Sequence, residues 1–567
     1  MFGERGGQVF CPLLFILSLF FLAETLVILP QAYDYTLIKF FLSECLALIF
    51  LFYFILKKRE LFFNRFFIPL FLYYFFILVS LAFSSSPLVS FKQLSVSVVS
   101  LTLVLIGANL KEVFRERWVF YVWIISAGIA SIWVIWQYSS EGKIVASFGN
   151  RNFFAGYIIM PSALLISLFL GGRDRISATR GNGRSECRPR AKSEFPGNSL
   201  LLFLILLSLL LFGLYISKSQ AAFLGFSASV LFILFHFLRD RIKVNGLTLL
   251  LIFCFVFLAA ATFFLQPSVS GLVKNIRYPI YTGTIEMIKE KPLTGFGPGK
   301  FETSYQEFRP PEYFGREETT SISNHAHNEY LEIAAETGIP SLIFFIIFIA
   351  SFFFYLNKRL KENAHWYILT GLGAGILAVL VDNLLSTNLR TYSVPPFFYL
   401  SIGLASCLLP GQKKISGFFS RFVPVLLVVV ILAFIPFGVN ELKGEIYYKR
   451  GVKCPDVDEA ISLLNKSLVY SPHNLNVFYK LGYLYAVSNR PRESLVVYNE
   501  LLMLSPNFAR THYNIAVVLG SMGEKEEAVR HLRMALKHNP FDEESLCLMR
   551  KFTESRRNSK KVLTEER

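Results

Sequence analysis

The sequence predicts an all-α protein: a polytopic membrane domain of about 12–13 transmembrane helices, a large extracytoplasmic loop and a C-terminal α-solenoid. Three observations carry that prediction. Of 567 residues, 53% are hydrophobic, 59 of them Phe, and a soluble chain of this composition would aggregate. The apolar residues arrive in runs of roughly 18–23, long enough for a helix to cross a hydrocarbon layer of about 30 Å. The segment 441–567 instead carries a 34-residue repeat. Helices are the expected spanning form because, in lipid, every backbone donor and acceptor needs an internal partner.

Thirteen runs fit, near 9–29, 35–56, 66–83, 93–110, 118–138, 153–170, 200–216, 221–238, 247–265, 339–356, 366–385, 395–409 and 422–439. The first is too long for the apolar core of a signal peptide and no small-residue cleavage pattern follows it, so an uncleaved span is expected. The run at 93–110 is rich in Ser and Val, and 395–409 is short and opens on Pro395-Pro396.

The connecting loops alternate in charge. One set holds Lys57-Lys58-Arg59, then Lys111, Arg115 and Arg117, then the Arg-rich 171–199, then Arg239, Arg241 and Lys243, then Lys358, Arg359 and Lys361, then Lys413-Lys414. The positive-inside rule puts this set and the N-terminus in the cytoplasm. Segments 139–152, 217–220, 266–338 and 386–394, and the tail from Asn440, then face outside. The net charge of +17 is read as topology rather than as a nucleic-acid surface. Seven Cys are scattered without a CxxC pair, which implies neither a disulfide framework nor a metal site.

In the tail, Pro472, Pro506 and Pro540 recur at 34 residues, in register with Leu481-Gly482, Ile515-Ala516, Ser494 and Ala528. This resembles the tetratricopeptide repeat, a stack of helix pairs with a concave face that most often binds a protein partner. The units at 475–508 and 509–542 match well, and 441–474 is degenerate. The domain boundaries are therefore 1–440 and 441–567.

The polar outside segments hold the candidate chemistry. Gly149-Asn150-Arg151-Asn152 opens a span, where Asn150 or Asn152 can cap the helix or form a platform for a sugar or phosphate. Lys218, in the tight turn Ser217-Lys218-Ser219-Gln220, can snorkel to headgroups or meet an anionic substrate. Arg277 heads a stretch with helical spacing at Tyr281, Ile285 and Ile288. The run Pro292 to Lys300 is glycine-rich, but its spacing is not that of a phosphate-binding loop and a tight structural turn is the better reading. His325 and His327 form a His-x-His pair; Glu329 or Glu332 could complete a metal site, but no second ligand cluster lies outside. At the rim of a packed helix, a neutral His327 can take a proton from a hydroxyl near pH 7.

In order and on one side, these motifs resemble the O-antigen ligases and the related O-antigen polymerases and protein oligosaccharyltransferases. The likeness rests on His327-Asn328-x-x-Leu331 with Glu336-x-Gly338, on Arg277, and on Pro292-Leu293-x-Gly295-x-Gly297-x-Gly299. Phe148 to Ala155 and the Ser217-Lys218 turn support it, the latter with Lys where the family has Arg. The motifs fall within 145–340, in an expected core of about 145–410. The resemblance implies glycosyl transfer on the outer face of a bacterial inner membrane, most simply by a ligase. The donor would be a polyprenyl-diphosphate-linked glycan and the acceptor a hydroxyl on a lipid core, a growing glycan or a protein. Arg277 and Lys218, with Arg390 as a further candidate, would stabilise the departing diphosphate. His327 would be the base, with Asn328, His325, Asn150 and Asn152 orienting substrate and no metal or other cofactor. A transporter or flippase is the rival class. It predicts polar or charged residues mid-membrane and interrupted helices in repeated halves, and the sequence offers few, Glu24, Glu44 and Asp382, the first two with no clear partner.

Overall fold

The computed structural model describes residues 12–34, 36–57, 60–142, 144–181, 199–239, 277–314, 322–360, 363–415 and 417–565. The membrane helices are α1 (Pro12–Leu26), α2 (Leu37–Leu56), α3 (Ile68–Ala82), α4 (Pro87–Gly107), α5 (Trp118–Glu141), α6 (Arg151–Gly181), α7 (Ser199–Ser217) and α8 (Gln220–Leu238). Two helices of the polar loop follow, α9 (Arg277–Glu290) and α10 (Glu329–Thr337), then α11 (Ile339–Leu360), α12 (Trp366–Asp382), α13 (Pro395–Ser406) and α14 (Gly417–Lys453). Among the described residues nine helices are long and apolar enough to cross a membrane; α1 and α12 are shorter apolar helices. The chain is an all-α polytopic membrane protein. The span expected at 247–265 lies outside the described residues.

Small residues set the closest helix contacts, as expected where lipid offers no hydrophobic drive for association. Gly371 and Gly375 of α12 lie on Leu164 and Met160 of α6, and Gly225 of α8 lies on the Ala378 carbonyl. Gly107 of α4 and Gly403 of α13 meet in the same way.

One element departs from the all-helical expectation. Strands β1 (Phe62–Asn64) and β2 (Gln412–Lys414) form an antiparallel ribbon. The two connectors lie side by side, and pairing satisfies backbone groups that no helix serves there. The Asn64 side chain ties the ribbon down by donating to the Ser406 carbonyl at 2.6 Å.

Among the described residues, the loops that separated by charge in the sequence also separate in space. Basic connectors meet at one end of the bundle. Arg239 donates to Asn357 at 3.1 Å, Arg359 to the Leu408 carbonyl at 3.2 Å, and the Arg117 guanidinium lies 5.5 Å from the Tyr367 ring. At the other end, residues from 33–36, 89–96, 148–153, 299–303, 324–336, 390–392 and 441–476 line one cavity.

Glu24 and Lys39, both fully buried among the helices, are electrostatic partners. Lys39 also donates to Ser147 Oγ at 3.1 Å and sits 4.0 Å from the centre of the Phe148 ring. Glu24 thus has the partner that sequence inspection could not supply, because the two residues lie on different helices.

Helix α14 has 37 residues, about 56 Å at 1.5 Å per residue, nearly twice a hydrocarbon layer of about 30 Å. The expected boundary at 440/441 falls inside this helix. Its C-terminal end packs on α15 (Val457–Tyr470), followed by the pairs α16 (Leu475–Val487) with α17 (Pro491–Leu504) and α18 (Thr511–Ser521) with α19 (Lys525–His538), and by α20 (Glu543–Glu565). Helices α15, α17 and α19 start 34 residues apart. Gly482 admits the Tyr498 ring, and Ser494 Oγ donates to the Gly482 carbonyl at 2.7 Å. The tail docks on the polar loop: Arg309 donates to the Asn507 carbonyl at 2.5 Å and Ser505 Oγ to the Thr303 carbonyl at 2.8 Å. Ile322 packs into the tail's apolar cluster. Tail and loop therefore share one face of the bundle.

Candidate active site

The site is organised by α10, a nine-residue helix at the end of the polar loop. Asn328 caps it: its Oδ1 accepts from the Leu331 N–H at 3.0 Å, and its Nδ2 donates to the Leu384 carbonyl at 3.0 Å. Glu329 and Glu332 in the first turn suit the positive end of the helix. Gly338 closes it at φ +86°, where a Cβ would strike the Leu293 carbonyl.

The glycine-rich run wraps this C-terminus. The Phe296 N–H donates to the Ala335 carbonyl at 3.1 Å, the Gly297 N–H to the Glu336 carbonyl at 2.8 Å and the Ile339 N–H to the Pro292 carbonyl at 2.8 Å. Gly295, Gly297 and Gly299 all have positive φ. Their backbone is spent on gripping α10, not on a phosphate cradle.

Glu329, Glu332 and Glu336 share one face of α10, at spacings of three and four residues. Arg390, from the connector between α12 and α13, enters between them. Its Nε lies 2.8 Å from Glu329 and 3.9 Å from Glu332, and it donates a further bond to Glu336. All four side chains are at least 93% buried. Burial works against the Arg390 charge, but the three carboxylates hold its pKa well above the ordinary value. One guanidinium cannot fully compensate three carboxylates, and burial pushes Glu329 up to about 7 against the pull of Arg390. Arg390 was a candidate for diphosphate contact; here its guanidinium faces Glu329, Glu332 and Glu336 within the protein.

The histidines on the turn before α10 differ in surroundings. His325 Nδ1 lies 2.9 Å from Glu332 Oε1, while Glu332 Oε2 accepts from the Ala326 N–H at 2.8 Å. Burial opposes the His325 charge, yet Glu332 raises its pKa overall. His327 is solvent-exposed at φ +52°, with protein on most sides, and its carbonyl accepts from Tyr281 Oη at 3.2 Å. Desolvation, then the charges of His325 and Arg277, lower its pKa to about 4. Near neutral pH His327 is therefore an uncharged imidazole beside a cation. Glu329 and Glu332, which would complete a metal site, are turned to Arg390 and His325.

The remaining expected residues fall around this centre. Lys218 sits exposed at φ +54° in the α7–α8 turn. Helix α8 meets α12 at Gly225, against Ala378 and Asp382, so Lys218 emerges at the same end of the bundle as Arg390. Asp382 Oδ2 accepts from Ser386 Oγ at 2.6 Å and Asn388 Nδ2 at 2.5 Å; Asn388 also faces the Asn152 carbonyl at 3.3 Å. Asn150 Oδ1 accepts from the Asn152 N–H at 2.8 Å, the geometry of a helix start.

Asn150, His325 and Arg390 line the cavity, whose volume is about 730 Å³. Sequence reasoning missed the glutamate cage as a unit, although its spacing on one helix face was a usable signal. It also missed Lys92, Glu302, Glu441 and His473, which share the lining and lie far apart in sequence.

This arrangement defines a class: a multi-pass membrane protein whose polar site, with a histidine beside an arginine, is gathered at one end of its helices. Residues 204–346 match the O-antigen ligase family model, and over this segment the chain is similar to that family. The matched segment contains Lys218, Arg277, His325, His327 and Asn328; Asn150, Asn152 and Arg390 lie outside it. The chain is also similar to the peroxisomal targeting signal receptor of Candida glabrata, 33% identical over 89 residues, 16% of this chain and 15% of that receptor. With the receptor of Eremothecium gossypii it shares 35% identity over 81 residues, 14% of each chain. The chain thus spans about 15% of the length of these curated relatives.

Proposed function

We propose that this protein transfers a glycan from a polyprenyl-diphosphate donor to an acceptor hydroxyl at the outer face of a bacterial cytoplasmic membrane, most simply as an O-antigen ligase. The observation that carries this reading is the loop turn holding His327 against the first turn of α9, where Tyr281 Oη donates to the His327 carbonyl at 3.2 Å, one helical turn from Arg277. The acceptor oxygen attacks the anomeric carbon and its proton passes to the His327 imidazole. The bond from that carbon to the diphosphate oxygen breaks, and the electron pair leaves with the diphosphate. Direct displacement inverts the anomeric centre. The leaving group gains negative charge in the transition state, so a fixed cation there lowers the barrier. In this reading Arg277 supplies that cation, with Lys218 as a point charge that lacks the bidentate fork of arginine. The reading needs no metal, because these cations serve the leaving group.

Asn328, His325, Asn150, Asn152 and Arg390 hold the frame around the reacting groups. The helix-pair tail is read as a tetratricopeptide-type domain that binds a protein partner. Its 34-residue interval supports this, as does the chain's similarity to receptors of a targeting signal.

The test is transfer in membranes supplied with a polyprenyl-diphosphate-linked oligosaccharide, with and without EDTA, for the native protein and for His327→Ala and Arg277→Ala. Transfer that survives EDTA and disappears in both variants, with each protein still inserted, supports the proposal. Normal transfer by both variants would overturn it, as would no transfer by the native protein. Offering lipid-core, glycan and protein acceptors in turn separates ligase, polymerase and protein oligosaccharyltransferase.

A further inference from the structure

The cavity beside His325 has two walls from distant parts of the chain. One is the catalytic loop, with Glu302, Asn324, His325 and Glu332. The other is the start of the tail, with Glu441, Glu445, His473, Asn474 and Asn476. At about 730 Å³ it lies within the roughly 300–1,000 Å³ of ligand-binding clefts.

Its charge argues against a diphosphate. Six carboxylates line it (Asp34, Glu302, Glu332, Glu336, Glu441 and Glu445) against two fixed cations, Lys92 and Arg390. Both cations already face carboxylates, Lys92 meeting Glu441 at 3.5 Å and Arg390 the α10 glutamates. An anion here would lack a free counter-charge and face a net negative wall.

The same wall suits sugar hydroxyls. Carboxylates accept from them, and the Asn476 amide both donates and accepts. Phe153 and Tyr392 add apolar ring surface for the C–H faces of a pyranose. The buried Nδ1 of His473, on the tail wall, has no hydrogen-bond partner within the protein. His325 joins this cavity to the turn that carries His327, two residues on.

We infer that this cavity is the acceptor subsite, that it takes neutral, hydroxyl-rich sugar residues, and that the tail supplies one of its walls. The inference rests on the glycan-transfer reading above. It gives the tail a part in substrate binding besides any partner it recruits.

The experiment separates KM for acceptor from KM for donor in the full-length protein. Asn476→Trp, which fills the cavity from the tail side, should raise the acceptor KM by at least about tenfold and leave the donor KM unchanged. Asn476→Ala should move the acceptor KM in the same direction by less, which guards against misfolding of the larger variant. A second readout does not need transfer. With Asn476→Cys, maleimide labelling should slow when a soluble oligosaccharide is added, either the lipid-free core or the free donor glycan. The native protein's own thiols set the background. A rise in donor KM, or unchanged KM values together with unprotected labelling, overturns the inference. If the native protein transfers nothing but the oligosaccharide still protects the cysteine, the cavity stands as a glycan site and the proposed function falls.

Discussion

The pH dependence of transfer tests the assignment of the base most directly. An ordinary imidazole titrates near 6.5, whereas desolvation and the neighbouring His325 and Arg277 charges bring His327 to about 4. The base acts when unprotonated, so activity should be lost as pH falls through the His327 value. At pH 5.5 an imidazole with pKa 4 is roughly 97% neutral and one with pKa 6.5 roughly 9%, a difference of about tenfold in active enzyme. The assay is the initial rate at subsaturating donor and acceptor, from pH 4 to 8, in membranes with labelled glycan. The expected rate at pH 5.5 stays close to that at pH 7.5, with the acid limb near pH 4. Arg277→Gln should move that limb upward, because removing a nearby cation makes protonation easier. Its residual rate is low, but the position of the limb can be read at any amplitude. A native half-point between pH 6 and 7, unmoved in Arg277→Gln, would refute the placement of His327 as the base beside Arg277.

Three further outcomes follow from the same geometry. Arg390→Met leaves the α10 carboxylates buried without their cation and should destabilise the protein by about 3–5 kcal/mol, seen as earlier unfolding on heating in detergent. Arg390→Lys should recover only part of this, since one ammonium cannot span the cage; an unchanged melting profile for Met would count against the cage. Arg309→Ala removes a charged hydrogen bond to the Asn507 carbonyl, about 1.5–3 kcal/mol, and should speed limited proteolysis near 505–510; unchanged cleavage would show that the joint is held elsewhere. The folded pKa of His325 is raised, so its pairing with Glu332 stabilises fully below pH 6.5 and fades as pH rises through the folded value. The melting difference between native protein and His325→Asn should therefore be larger at pH 6 than at pH 8.5, and a difference that grows with pH would reverse the assignment.

What could be read in the sequence was whatever repeats or runs. Apolar runs marked the spans because a bilayer imposes one length, and loop charge sorted the connectors because cations resist translocation. The 34-residue interval in the tail is visible because each helix pair repeats its small and large positions. The local cap at Asn328 and the turn at Gly338 were also readable, since short polar and glycine residues mark helix ends. Pairings between distant segments could not be read this way. Arg390 stands 54 to 61 residues from the carboxylates it meets, in a connector with no periodic pattern. Lys39 and Glu24 look unpartnered until two helices are packed. The cavity draws on residues from Tyr33 to Asn476, and no local signal links its walls.

The cage explains how a short turn can hold His327, the proposed base, in place. His327 has a left-handed backbone that costs a non-glycine residue about 1–3 kcal/mol, so the turn needs support from outside itself. Arg390 locks the following helix from one side, and the glycine-rich run grips its C-terminus from another. Tyr281 holds the His327 carbonyl, and Asn328 ties the turn to the end of α12 through Leu384. Each tie ends on a different part of the chain, so the position of the base reports on the packing of the bundle as a whole. The tail meets the same loop through Arg309 and Ser505, which hydrogen-bond across the joint. In the proposed reaction this frame presents the His327 imidazole in a fixed turn, and an oriented base is what proton transfer from a sugar hydroxyl requires.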